Sequence, residues 1–159
     1  MLYIVIVGII FAGDFLIKNN MEKKLKEGEI RKKLGGILWL RKYHNRGAFL
    51  NVGEKKASVV VALSVLLTLA VATAFVITLG TKGNRLLKTG LSLLLGGAFS
   101  NTYDRLKKKY VMDYFSFGGG KKISDIVFNL SDFGIIIGAM LVAVASYLFD
   151  CSDKESTLT

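Results

Sequence analysis

Four long apolar runs separated by charged segments dominate the chain. The run at 57–79 contains no charged residue and is long enough to cross a hydrocarbon core of about 30 Å. The runs at 1–18, 86–104 and 126–149 are similarly apolar, but each keeps one or two charged residues. The pattern predicts four transmembrane helices in a single integral-membrane domain that covers residues 1–159. The expected fold class is therefore an all-α membrane protein, a four-transmembrane-helix bundle.

The segment between the first two runs is polar and has a different pattern. Residues 19–56 contain eleven Lys and Arg side chains. Within this segment, the stretches 36–40 and 43–49 are rich in aromatic and aliphatic residues and lie beside glycines, which is typical of short strands. We therefore expect a small β-structure in this first loop.

Composition supports a membrane protein and argues against several other classes. Hydrophobic residues make up 52% of the chain, with one cysteine and no proline. This composition argues against a disordered chain and against a disulfide scaffold. The net charge of +10 would suggest a nucleic-acid partner in a soluble protein, but here the basic residues flank apolar runs and form no nucleic-acid-binding motif. We expect no nucleic-acid partner.

Three carboxylates lie within or at the edge of the apolar runs: Asp14, Asp104 and Asp132. Since an ionisable side chain in hydrocarbon costs about 2.5–3.5 kcal/mol on insertion scales, such residues indicate function. Asp104 lies at the end of the third run and Asp132 near the start of the fourth, so antiparallel helices would bring both to the same side of the membrane. Such a pair can share a proton and activate a water. The alternatives are an ion pair of Asp104 with Arg105 or Lys107, and a helix cap for Asp132.

The other polar residues in and near the runs allow more than one interpretation. Asp14 and Lys18 are four residues apart, so they can form an ion pair on one helix face, or Lys18 can extend to the headgroups. Asn45, Asn101 and Asn129 can bond a substrate backbone, orient an aspartate or simply form turns.

Five blocks of the sequence together resemble the lipoprotein signal peptidases (signal peptidase II), the small aspartic membrane peptidases of bacteria. The blocks occur in the family's order and span nearly the whole chain. They are Asp14-Phe-Leu-Ile-Lys18 (D-x-x-x-K), Asn45-Arg-Gly-Ala-Phe49 (N-x-G-A), the segment 96–105 (G-G-A-x-G-N-x-x-D-R), Val111-Met-Asp113-Tyr-Phe115 (V-x-D-F) and Phe128-Asn129-Leu-Ser-Asp132 (F-N-x-A-D).

The resemblance implies a function and a set of site residues. The family hydrolyses the bond before a diacylglyceryl-modified cysteine in prolipoproteins, needs no metal or other cofactor, and is inhibited by globomycin. The catalytic pair it implies here is Asp104 and Asp132. The residues expected to bind substrate or support this pair are Asp14, Lys18, Asn45, Gly47, Asn101, Arg105 and Asn129.

The resemblance also implies a location and a topology. The family's fold is a four-helix bundle in the bacterial cytoplasmic membrane with an extracytoplasmic β-cradle, in agreement with the strands expected in the first loop. Both termini face the cytoplasm, and the active site lies towards the outer leaflet. The positive-inside rule would instead place the basic first and third loops in the cytoplasm. We follow the family's topology and expect the basic side chains of these loops to contact lipid headgroups. The bundle is expected to act as a monomer.

Two residues depart from the family pattern. Ser100 stands where the family usually has glycine, and Ser131 where it usually has alanine. Neither change removes a catalytic group, so we expect both serines to tune the site. A catalytically silent relative that binds lipidated peptides and a small membrane transporter or proton channel are the alternative functions.

Overall fold

The structure, a computed structural model, describes residues 1–47, 56–119 and 124–156, with side chains described as far as residue 150. These ranges contain four long helices and three strands. In chain order the elements are α1 (Leu2–Lys24), β1 (Ile30–Lys33), a single 3-10 turn (Leu34–Gly36), β2 (Leu38–Asn45), α2 (Ala57–Leu79), α3 (Arg85–Lys108), β3 (Val111–Phe117) and α4 (Leu130–Ser156).

Three of these helices are long and apolar enough to cross a membrane: α1, α2 and the part of α4 from Leu130 to Asp150. Helix α3 is equally long, but it carries many polar side chains and packs against all three of the others. The expected four helices are thus present, and the apolar criterion supports a membrane span for three of them. Helix α4 starts four residues later than the predicted run, because the chain first pairs Phe128 with β3.

Glycines allow α3 and α4 to approach closely. A Cβ atom on Gly97 would collide with the backbone oxygen of Ser131, and one on Gly138 would lie 2.5 Å from the backbone nitrogen of Leu94. Small residues at such positions let helix backbones come into contact. The close packing brings the C-terminal half of α3 beside the first turn of α4.

The three strands form one antiparallel sheet in the order β1, β2, β3. The stretches 36–40 and 43–49, expected as two strands, contribute to the single strand β2, whose pairing with β3 shifts register between Leu40 and Tyr43. Gly36 lies in the turn before β2, and residues 48 and 49 lie outside the described residues. Strands β1 and β3 are not predicted from the sequence.

Strand β3 is fixed over the start of α4 by backbone and aromatic contacts. The amide of Phe128 donates to the carbonyl of Phe115 at 2.7 Å, and the amide of Phe115 donates back at 3.0 Å. The ring centroids of these two residues are 6.3 Å apart, and the ring of Phe133 on α4 stacks on that of Phe115 with a centroid distance of 5.5 Å. These contacts determine where the β3 side chains lie relative to α4.

Candidate active site

Two carboxyl groups, those of Asp113 and Asp132, line one cavity of about 360 Å³ between the sheet and the helices. Asp113 lies on β3 and Asp132 in the first turn of α4. The remaining lining residues combine polar groups with an apolar wall: Asn45, Asn101, Arg105, Val111, Val127, Ile135 and Ile136. An apolar cavity with a few convergent polar groups is the usual form of an active site.

One residue, Asn129, bonds to both aspartates, through its side chain and its backbone amide. Its Nδ2 donates to Oδ1 of Asp113 at 2.6 Å, while its Oδ1 accepts from the backbone amide of Asp132 at 2.9 Å. The backbone amide of Asn129 in turn donates to Oδ2 of Asp132 at 3.0 Å. This reciprocal pair is a capping box in which Asn129, rather than Asp132, is the cap of α4.

Two further asparagines each hold one of the carboxyl groups. Asn101 donates through Nδ2 to Oδ1 of Asp132 at 2.9 Å, and Asn45 donates to Oδ2 of Asp113 at 3.1 Å. Asn45 is itself fixed, because its Oδ1 accepts from the backbone amide of Gly47 at 3.1 Å. Among the roles open to these asparagines, the structure therefore shows orientation of an aspartate for each.

The environment of Asp113 favours its protonated form. Burial raises the pKa of this carboxyl from 3.8 to about 7, and repulsion by Asp132 acts in the same direction. The hydrogen bonds from Asn129 and Asn45 and the charge of Lys18 oppose this shift but do not cancel it. Near neutral pH, the protonated and ionised forms of Asp113 are therefore both populated.

Asp104 is not paired with Asp132 in the way the sequence suggested. Its Oδ2 lies 3.1 Å from Nζ of Lys18 and accepts from the backbone amide of Met112, and its Oδ1 lies 2.9 Å from Nζ of Lys108. The carboxylate is 1% exposed and is not among the residues that line the cavity. Asp104 therefore forms an ion pair, as the alternative interpretation of the sequence allowed. Its partners are Lys18 and Lys108 rather than Arg105 or Lys107. In the described part of the chain, the carboxyl beside Asp132 is that of Asp113.

The ion pair expected between Asp14 and Lys18 is confirmed, with Nζ of Lys18 at 2.7 Å from Oδ2 of Asp14. Both side chains are almost fully buried, so Lys18 does not extend to the headgroups. Lys18 also donates to Oδ1 of Asn101 at 2.8 Å, which connects the ion pair to the cavity.

Arg105 connects the end of α3 to the segment after β2. Its Nη2 donates to the backbone oxygen of Gly47 at 3.1 Å, and its Nη1 contacts the backbone oxygen of Asn101 at 3.4 Å. The guanidinium also interacts electrostatically with Asp113 and Asp132. Arg105, like Lys18, is a nearby cation that interacts with the charge of the two carboxyls.

Asp113 lines the cavity but is not among the site residues expected from the sequence, although it lies in the V-x-D-F block. A lone carboxylate in the apolar stretch Val111-Met-Asp113-Tyr-Phe115 was the available signal.

No group of three or more His, Cys, Asp or Glu side chains that could hold a metal ion occurs among the described residues.

Comparison with known proteins places this architecture in a family. The family model for signal peptidase (SPase) II matches residues 6–148. The lipoprotein signal peptidase of Caldicellulosiruptor bescii is 35% identical over 142 residues, which cover 89% of this chain and 88% of that protein. The lipoprotein signal peptidase of Lactobacillus johnsonii is 30% identical over 154 residues, covering 97% and 96%.

A solved structure shows the same fold. A bacterial membrane enzyme determined by the in meso method at 2.3 Å resolution superimposes with a TM-score of 0.79 at 23% identity, covering 96% of this chain and 90% of that one. The chain therefore belongs to the signal peptidase II family, the lipoprotein signal peptidases, and functions as a bacterial membrane protease that removes signal peptides from prolipoproteins.

Proposed function

We propose that the chain is an aspartic endopeptidase whose catalytic pair is Asp113 and Asp132, and that it hydrolyses the bond before the diacylglyceryl-modified cysteine. The observation that carries this proposal is the shared cavity, in which one amide, that of Asn129, bonds to both residues. The raised pKa of Asp113 supports the division of roles, since a protonated and an ionised carboxyl are both required.

The reaction proceeds without a covalent intermediate. Ionised Asp132 takes a proton from a water molecule, whose oxygen attacks the carbonyl carbon of the residue before the modified cysteine. Protonated Asp113 gives its proton to the developing oxyanion. When the resulting diol collapses, the carbon–nitrogen bond breaks, Asp132 protonates the leaving amine, and Asp113 recovers a proton from the diol. Both carboxyls return to their starting states.

The neighbouring residues support the pair in this scheme. Asn45, Asn101 and Asn129 keep the two carboxyls oriented, because each donates to one of their oxygens. Asp104, which neutralises Lys18 and Lys108, contributes to stability rather than to proton transfer. Gly47 and Arg105 hold the segment after β2 at the cavity.

The topology follows from treating α3 as a fourth span in one domain of residues 1–159. Its 24 residues have a length of about 36 Å, and several of its polar side chains, such as Lys88, Ser92 and Asn101, are buried. Four spans put both termini on one side of the membrane. We place that side in the cytoplasm, as the family resemblance implies, with the sheet and the cavity towards the outer leaflet. Exposed Lys33 and Lys82 fall on opposite sides. In a Cys151→Ser background, an impermeant thiol reagent should label Lys33→Cys and leave Lys82→Cys unlabelled in intact cells; the reverse labelling contradicts this topology.

Membrane lipid is the partner proposed for the sheet, and the chain acts as a monomer. Lys32 and Lys33 are exposed next to Leu34 and Ile37, which are 73% and 63% exposed. Basic side chains beside exposed aliphatic ones suit an anionic headgroup region. Light scattering in detergent, corrected for bound detergent, should give a single chain per particle.

A cleavage assay tests the proposed function. Purified protein in detergent should convert a diacylglyceryl-modified prolipoprotein to a faster-migrating product, and globomycin should block the conversion. Asp113→Asn and Asp132→Asn should abolish cleavage, whereas Asp125→Asn, which changes an exposed carboxyl, should keep the wild-type rate. Retention of the precursor on the wild-type protein without cleavage would favour a silent relative and contradict the proposal.

A further inference from the structure

Three donors converge on one buried oxygen, Oδ2 of Asp14, where α1, α3 and α4 meet. Lys18 approaches it at 2.7 Å, and the hydroxyls of Ser100 and Ser131 each donate to it at 2.6 Å. Asp14 and Ser131 are 0% exposed, and Ser100 is 2% exposed. Since buried carboxylates require donors, the two serines are part of what keeps this charge inside the protein.

The other carboxylate oxygen of Asp14 is satisfied by different groups. Tyr114 donates its hydroxyl to Oδ1 at 3.2 Å, and the backbone amide of Leu130 donates at 3.1 Å. The carboxylate thus has four donors in addition to Lys18. Its negative charge is therefore distributed over several hydrogen bonds and does not depend on the ammonium group alone.

Lys18 has more acceptors than protons. Four acceptor atoms lie within 3.2 Å of its Nζ: Oδ2 of Asp14, Oδ2 of Asp104, Oδ1 of Asn101 and Oγ of Ser100. An ammonium group has only three N–H donors, so these acceptors compete. Donation from both serines to Asp14 reduces the demand of that carboxylate on Lys18. The ammonium is then available to Asn101.

The contact between Lys18 and Asn101 determines the orientation of the Asn101 amide. Because an ammonium group donates and cannot accept, it must face the amide oxygen. The amide nitrogen is then directed towards Oδ1 of Asp132, to which it donates at 2.9 Å. A chain of contacts therefore runs from the two serines through Asp14, Lys18 and Asn101 to Asp132.

We propose that Ser100 and Ser131 are positioning residues for the peptidase reaction: by holding Asp14, they let Lys18 fix the Asn101 amide on Asp132. The proposal rests on the proposed function, because it assigns the two serines to the support of one member of the Asp113–Asp132 pair. Neither serine lines the cavity, so neither is expected to contact substrate.

The test compares Ser100→Ala, Ser131→Ala and the double variant with Ser92→Ala. Ser92 is a matched control, because it is a fully buried serine on α3 whose hydroxyl donates to the backbone oxygen of Lys88 at 2.6 Å. Each site variant should lower kcat by roughly tenfold to 10²-fold, the range for a small misplacement, with KM unchanged. The double variant should lose less than the product of the two single losses, since both hydroxyls serve one oxygen.

Two further measurements separate positioning from general stability. Ser131→Thr keeps the hydroxyl and should restore kcat to within a few-fold of the wild type. Ser92→Ala should keep the wild-type kcat at a temperature where all variants are folded by their thermal unfolding curves. A wild-type protein that does not cleave the precursor contradicts the proposed function itself. If the wild-type protein cleaves the precursor and the serine variants keep its kcat, or differ from it only in thermal stability, the positioning role is overturned.

Discussion

Replacing Asp113 with asparagine removes a proton-transfer group from the cavity and a charge from the protein interior, so its effects on rate and on stability should have opposite signs. Loss of proton transfer should lower kcat by about 10²–10⁴-fold. The effect on stability follows from the pKa of Asp113, which burial and Asp132 raise from 3.8 to about 7 in the folded protein. The folded state therefore holds this proton more tightly than the unfolded state.

The sign and size of the stability effect follow from this difference. For a group with a raised folded pKa, stability falls as the pH rises from the unfolded value of 3.8 to about 7, and levels off above it. A shift of this size corresponds to about 4 kcal/mol. Asparagine avoids this loss, but its NH₂ group must face Asn45 or Asn129, both of which donate to Asp113. An unmade buried bond costs about 1–3 kcal/mol, so the net gain above pH 7 is about 1–3 kcal/mol.

Thermal unfolding of Asp113→Asn in detergent at pH 5 and pH 8, beside the cleavage assay, measures both effects. The difference in Tm between variant and wild type should increase from pH 5 to pH 8. Asp104→Asn is the matched comparison, because it removes one of the two carboxylates that contact Lys18 and the counter-charge of Lys108, and should destabilise the fold by about 1–3 kcal/mol. Cleavage by Asp113→Asn within tenfold of the wild type, or a Tm difference independent of pH, would refute the reasoning.

Three other predictions follow from the site and the helix packing. The cleavage rate should decline above pH 7, where Asp113 loses its proton, and a profile flat from pH 5 to pH 9 would exclude it as the acid. Asn129→Ser keeps a capping hydroxyl but not the donor to Asp113, so cleavage should be lost while Tm in a thermal melt stays within a few degrees of the wild type. Gly138→Ala should lower the free energy of unfolding by about 1–3 kcal/mol, because the new Cβ would meet the backbone nitrogen of Leu94. Gly8→Ala should not lower it, because no atom lies within 4 Å of a Cβ at that position. Equal melting temperatures for the two variants would contradict this packing.

The helices and the Asp14–Lys18 pair could be predicted because both are local patterns. An apolar run defines a helix in lipid, and a spacing of four residues places two side chains on one face. The pairing of β2 with β3 could not be predicted in this way, since the two strands lie more than sixty residues apart in sequence. Hydrophobic alternation along one strand gives no information about its distant partner.

The choice of Asp104 over Asp113 has the same origin. Charged residues within the apolar runs are the ones that the pattern indicates, and Asp113 lies beyond the end of the third run. Only the folding of β3 over the first turn of α4 brings Asp113 beside Asp132. Asp104 is closer to the run, but Lys108, one helical turn away, and Lys18 of α1 already neutralise it. Tertiary contacts, rather than position along the chain, decide which carboxyl is available for chemistry.

The double use of Asn129 has a consequence for how the protein matures. The residue begins α4, and its amide reaches the carboxyl of a strand that comes from the preceding loop. A newly inserted chain with α4 formed but β3 undocked holds Asp132 without its partner. The two proposed reacting groups meet only when helix, strand and loop have assembled. A molecule whose strand β3 has not docked therefore lacks the proposed catalytic pair, so hydrolytic capacity depends on the docking of this strand as well as on the insertion of the helices.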